Sequence, residues 1–227
     1  ALEWQDPKTW AGLAYAETVD LAAIHALLGL ARSDLDGSLE PSVKRLLKVN
    51  FKALGKSGQL ALLRTYSVIM SRGGKPGTQT AKAIGEQLDP FFPSEDDNLN
   101  EELCRVLCFL EHPSVVRKTI ALMKTTQAKI PDFDAEVMKR HKGYGGRILS
   151  TMEAEAAPNV LNIHLLFCLK DVQSGWSMDD RKAYLEELQK LASKKGGNMF
   201  SGYIQKIRES AIASVPERER VSLQYLM

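Results

Sequence analysis

The sequence predicts an all-α protein, and three observations carry that expectation. Apolar residues recur at spacings of three and four along most of the chain, in stretches of about ten to eighteen residues. Short turns marked by Gly, Pro, Asn and Asp separate these stretches. The alternation of β-branched residues that a half-buried strand requires is almost absent.

Taken in order, residues 9–18 and 20–32 are short Ala- and Leu-rich helices. Residues 41–54 follow, with Val43, Leu46, Leu47, Phe51 and Leu54 at helical spacing, and residues 59–71 give a fourth helix. Residues 78–91 are a fifth, stopped by Pro90 and Pro93. The acidic loop Glu95-Asp96-Asp97 leads to Asn100, read as the N-cap of a helix over 101–111. Pro113 is placed in the first turn of a helix reaching about Thr125. Weaker signals put helices at 134–141 and 147–155, either side of the corner HKGYGG.

The best-punctuated stretch is 158–216. An apolar run over 160–172 ends at Gly175 and Trp176, and Ser177 with Asp180 three residues later forms a capping-box-like start. Gly196-Gly197 ends that helix. Asn198 opens another, with Phe200, Tyr203, Ile204, Ile207, Ala211 and Ile212 on one face, closed by Pro216. Twelve or so such helices make roughly six hairpins of about 35–40 residues, the period of a HEAT-like α-solenoid. A compact α-helical bundle is the alternative. The expectation is a single helical-repeat domain over 1–227.

Composition narrows the function classes. The chain has 227 residues, 44% hydrophobic content and a net charge of +2, ordinary for a soluble globular protein. Near-neutrality argues against a dedicated electrostatic footprint for nucleic acid or anionic membrane. No run of about 18 apolar residues offers a membrane span. The start at Ala1, without an initiator Met or a signal-peptide pattern, reads as a mature or excised segment, and the expectation is one excised from a larger multidomain protein. Three cysteines, Cys104, Cys108 and Cys168, sit among apolar helical residues and read as buried free thiols.

Few residues invite chemistry. Cys104, Cys108 and His112 fall at i, i+4 and i+8, but one helix hardly presents three ligands to one tetrahedral ion, so core thiols and a helix-end histidine are expected and no metal site. The loop RGGKPGTQTAK has Lys75 followed by Pro76 and a helix before it, so it fails as a P-loop and reads as an inter-helix turn. The corner containing Tyr144 and Arg147 could hold an anion at the next helix start, or form a tight turn over a packed tyrosine, the reading preferred here. From Arg117 to Arg147 eight Lys/Arg face three acids, a surplus of five that reads as a solvated face. His164 reads as a structural hydrogen-bonding residue, since no partner spacing suggests a triad.

Spaced anchors over the last 60% or so of the chain resemble the helical-repeat region of PVC-type haem-binding CxxCH proteins, large modular bacterial proteins described as membrane-bound or sugar-dehydrogenase-like. An N-x-E-L-C-x-x-L-x-x-L pattern is met by Asn100, Glu102, Leu103, Cys104, Leu107 and Leu110. An I-H helix followed by G-W-(S/T)-x-x-x-R-x-x-Y is met by Ile163, His164, Leu169, Gly175, Trp176, Ser177, Arg181 and Tyr184. A G-G-x-x-F-x-G-(F/Y)-(I/L)-x-x-I-R run is met by Gly196, Gly197, Phe200, Gly202, Tyr203, Ile204, Ile207 and Arg208.

The resemblance implies a HEAT-like module between a propeller domain and a C-terminal cytochrome c domain, in an exported or periplasmic protein. No Cys-x-x-Cys-His occurs in these residues, so haem c is implied only for the family's C-terminal part and no cofactor is expected in this segment.

The expected function is therefore a non-catalytic scaffold or interaction module. Its partners would be neighbouring domains or another protein, with no small-molecule substrate indicated and nucleic acid not favoured. Tyr144, Arg147, His164, Trp176, Arg181 and Tyr184 are the candidate interaction or structural-motif residues. Trp176 is expected to plug a hairpin corner, and Arg181 with Tyr184 to tie adjacent helices. The alternative is a nucleic-acid-binding helical-repeat protein of the DNA-glycosylase type, with the basic surplus as its footprint. A third class, a small-molecule enzyme centred on the HKGYGG corner and His164, requires a concave pocket joining those residues.

Overall fold

In a computed structural model, residues 5–33, 39–127, 158–194 and 199–227 are described. Among them are eleven α-helices and no strand, so the all-α expectation holds. The expected helices at 134–141 and 147–155, the HKGYGG corner and Gly196-Gly197 lie outside the described residues. The chain divides into two compact units, Ala1–Val115 and Val116–Met227.

The first unit holds α1 (Pro7–Ala16), α2 (Asp20–Arg32), α3 (Leu39–Leu46), α4 (Lys56–Gly73), α5 (Thr78–Leu88) and α6 (Asp97–Phe109). Helix α1 starts earlier than expected because Asp6 caps the Lys8 N–H at 3.0 Å and Pro7 supplies a pre-set first turn. Helix α2 runs over the expected residues and buries Ala23, Ile24, Leu27, Leu30 and Ala31. Packing proceeds between near neighbours: α1 and α3 meet α2, α2 meets α4, and α4 meets α6. The shared core is made of Ile24, Leu27, Leu46, Leu62, Leu63, Leu103 and Leu107, each with no exposed surface.

The helix expected over 41–54 is broken. It stops at Leu46, and Phe51–Ala53 forms a separate 3-10 turn capped by Asn50. The cause is distant in sequence: Gln87 Nε2 donates to the carbonyls of Leu46 and Val49, at 3.1 and 3.0 Å. Those carbonyls are thereby satisfied without further helix. Gln87 Oε1 in turn accepts from the buried Tyr66 hydroxyl at 2.7 Å, and burial pushes that phenol far above its ordinary pKa.

The N-cap expected at Asn100 is corrected as well. Asp96 caps α6 by accepting from the Leu99 N–H at 3.1 Å, and its hydrogen bond with Lys56, followed by that cap, holds its carboxyl below the usual range. Asn100 lies one turn further in and is buried. Its Oδ1 accepts from the Ser94 N–H at 2.7 Å and its Nδ2 donates to the Ser94 carbonyl at 2.8 Å, pinning the loop before the helix.

The second unit holds α7 (Val115–Thr125, which opens at the boundary), α8 (Val160–Leu169), α9 (Met178–Ala192), α10 (Phe200–Ala213) and α11 (Glu217–Leu223). The capping box at Ser177 forms as the sequence indicates: Asp180 N–H donates to Ser177 Oγ at 3.1 Å, and Ser177 N–H to Asp180 Oδ2 at 3.3 Å. Helices α8, α9 and α10 pack on one another around Leu165, Leu166, Leu169, Leu185, Leu188 and Ile207. Pro216 does not close the unit. Its φ of −56° suits entry into α11, whose Leu223 is buried and whose first turn carries Glu217 and Glu219.

Candidate functional site

Three of the six residues singled out by sequence come together in the second unit. Gly175, at φ +79°, takes the left-handed turn that brings the end of α8 back toward α9. Trp176 then folds over the corner and donates its Nε1–H to the Val172 carbonyl at 2.8 Å. Tyr184, nearly two turns into the inward face of α9, meets Trp176 edge-on at 5.3 Å and donates its hydroxyl to the Leu166 carbonyl of α8 at 2.9 Å. An edge-to-face aromatic pair of this kind adds about 0.5–1.5 kcal/mol beyond its buried area.

Arg181 completes the corner. Its guanidinium carbon lies 4.9 Å from the centre of the Trp176 ring, and its Nε is 2.7 Å from Glu219 Oε2 on α11. Arg181 is 5% exposed, so the 2.7 Å contact with Glu219 is a close, largely buried ion pair. Burial lowers the guanidinium pKa, and Glu219 opposes that shift. Corner, α9 and α11 are thus tied through one cation. This is a brace: its aromatic, cationic and carboxylate groups are turned on each other. Glu219 escaped the sequence reading because ERER reads as a solvated run, although Arg181 shares the spacing of Tyr184, Leu185 and Leu188 on the apolar face of α9.

His164 stands on α8 itself, its Nε2 3.3 Å from Cys168 Sγ one turn on. Nearby, Phe167 and Tyr203 stack at 5.9 Å with Lys170 over the Phe167 ring. Tyr144 and Arg147 lie outside the described residues. Cys104 and Cys108 are buried with their sulfurs 3.7 Å apart, and no group of three or more metal-ligating side chains occurs among the described residues. Nor is any described helix long and apolar enough to cross a membrane.

A second constellation lies in the first unit and was not foreseen. The turn before α5, the outer face of α5 and the end of α6 enclose a cleft of about 630 Å³. Helix α6 ends in a Schellman arrangement: His112 N–H donates to the Leu107 carbonyl and Glu111 N–H to that of Cys108, both at 3.0 Å. This puts Glu111 at φ +52°, the only non-glycine at positive φ among the described residues, and its carboxylate meets Lys75 Nζ at 2.9 Å.

The left-handed conformation costs a side-chain-bearing residue about 1–2 kcal/mol, whereas a half-exposed ion pair returns about 0–1 kcal/mol. Glu111→Gly is accordingly expected to leave stability unchanged or raise it by up to about 2 kcal/mol, and Glu111→Ala to lower it, as read from urea denaturation midpoints.

His112 follows immediately. Ser114 Oγ gives its one proton to Asp89 Oδ1, so at 3.1 Å it accepts from His112 Nδ1–H, which also lies 3.4 Å from Asp89 Oδ1. A neutral ring held this way carries its lone pair on Nε2. The ring rests on Gly85 of α5, where an added Cβ would come within 2.5 Å of His112 Cδ2, so any side chain there would push the ring aside. Serine, histidine and aspartate are all present, yet the hydroxyl donates to the carboxylate instead of the imidazole. The order is therefore wrong for an activated nucleophile and right for fixing an imidazole. Asp89 and Ser114 are 25 residues apart, a separation that no local motif would have revealed.

No family model, no curated protein and no solved structure matches this chain.

Proposed function

We propose that this chain is a non-catalytic helical scaffold of the HEAT-like solenoid kind, docking a neighbouring domain or another protein within a larger exported, haem-containing, dehydrogenase-like protein. The observation that supports this most is the succession of α2 on α4 on α6, in which alternate helices stack and each buries its face on near neighbours in sequence. The use made of Trp176, Arg181 and Tyr184 supports it further, since the motif that carries the family resemblance ties helices together as an architectural motif would. In this reading haem belongs to the parent protein, and a periplasmic location follows from the same resemblance.

Two measurements test it. The full-length gene product, run on a denaturing gel and stained for haem peroxidase activity, is expected to retain covalent haem, and its absence would overturn the parent-protein reading. The purified chain, titrated with a fluorescent DNA duplex, is expected to show no binding even at low salt. An affinity that falls steeply with salt would instead favour the nucleic-acid reading, with the exposed Arg117 and Lys124 of α7 in its footprint.

A further inference from the structure

The cleft against α5 combines three features that the scaffold reading does not use. Its volume, about 630 Å³, lies within the range of roughly 300–1,000 Å³ usual for small-molecule sites. His112 on its wall is fixed by Ser114 and Asp89 and seated on the bare backbone of Gly85, which leaves Nε2 as the ring atom free to accept a hydrogen bond. A backbone outlier at the rim, Glu111, is kept in a conformation that glycine would adopt more cheaply, and such strain gathers at sites where a side chain is needed in place.

The wall also selects a ligand class. Lys75 and Lys82 are offset by Glu111 and Glu86, at 2.9 and 3.7 Å, so the charged side chains sum to zero. That wall lacks the concentrated positive field on which phosphate sites depend. A single carboxylate asks less of it. The Lys82–Glu86 pair is long and well exposed, so it contributes little and Lys82 can turn to a ligand at small cost. Leu110, Ala81 and Pro113 supply apolar surface between the charged groups.

We infer that this cleft binds a small hydroxycarboxylate. Its carboxylate meets Lys82 and Lys75, its hydroxyl donates to His112 Nε2, and its carbon body lies on the apolar wall.

The test is a titration of ¹⁵N-labelled protein with lactate and, separately, with propionate, which has the same carbon skeleton without the hydroxyl. The imidazole nitrogens are followed by NMR at alkaline pH, where histidine is neutral. Lactate is expected to shift His112 Nε2 saturably and to bind about ten-fold more tightly than propionate, because propionate leaves the Nε2 acceptor unpaired. Lys82→Ala is expected to weaken both acids alike by a few-fold. Gly85→Ala displaces the ring, and is expected to abolish the preference for lactate while sparing the weaker carboxylate binding; thermal unfolding confirms that each variant folds.

The inference is overturned if neither acid shifts His112 up to its solubility limit, if the two bind equally, or if the lactate preference survives in folded Gly85→Ala protein. The outcome is independent of whether the parent protein carries haem.

Discussion

Arg181→Ala is expected to destabilise the second unit by about 3–5 kcal/mol, the usual penalty when one partner of a buried ion pair is removed and the other stays behind. Glu219, whose side chain is 17% exposed, then keeps only the exposed Arg218, 3.7 Å from its Oε1, as a counter-charge, and the Trp176 ring loses the cation beneath it. The size of the loss does not make the pair a strong stabiliser. Changing Arg181 and Glu219 together to leucine and methionine is expected to recover most of the deficit, because both desolvation penalties vanish with the charges. Urea denaturation of the single and double variants, combined as a double-mutant cycle, measures this directly. Equal losses in the two would show that the brace works by packing alone.

Asn162→Leu is expected to cost about 2–4 kcal/mol, since it removes three hydrogen bonds that are each worth about 0.5–1.5 kcal/mol net. Asn162 is 3% exposed. Its Nδ2 donates to the Met123 carbonyl at 3.2 Å and to Glu187 Oε1 at 2.9 Å, and its Oδ1 accepts from Thr126 Oγ1 at 2.6 Å. One side chain therefore joins the end of α7, the start of α8 and the middle of α9.

Asn162→Asp is expected to cost more at neutral pH, since an ionised carboxylate cannot donate to Met123 and repels Glu187. The sign of its pH dependence follows. Burial and Glu187 raise the pKa of the introduced carboxyl in the folded state, so the folded state binds the extra proton and relative stability recovers as pH falls from about 7 toward 4. Denaturation midpoints across that interval, compared with the parent chain to remove common acid effects, provide the check.

The all-α class was legible because helical periodicity is a local signal: α2 and the capping box of α9 are written in consecutive residues. Breaks were not legible where their cause is remote. The stop at Leu46 depends on Gln87, about forty residues later, and Asn100 resembles an N-cap until Ser94 is seen to occupy its amide. Helix α11 was missed because Glu217, Arg218, Glu219 and Arg220 precede its few apolar residues and leave no period to read. For the candidate residues, the spacing of Trp176, Arg181 and Tyr184 announced a corner. Its counter-charge, and the joining of Asp89 and Ser114 to His112, exist only once the chain has folded back on itself.

Glu219 lies 38 residues downstream of Arg181. At about 5–20 residues per second, the ribosome adds it roughly 2–8 s after the arginine. During that interval α8 and α9 can meet and Trp176 can cover the corner, but the cation inside has nothing to neutralise it. The first unit waits as long for its own clamp, since Gln87 follows Val49 by 38 residues, but what waits there is a pair of neutral carbonyls. Vectorial synthesis thus leaves the two units unequal in what waits, a charge in the second and neutral amide partners in the first, until Glu219 has been made.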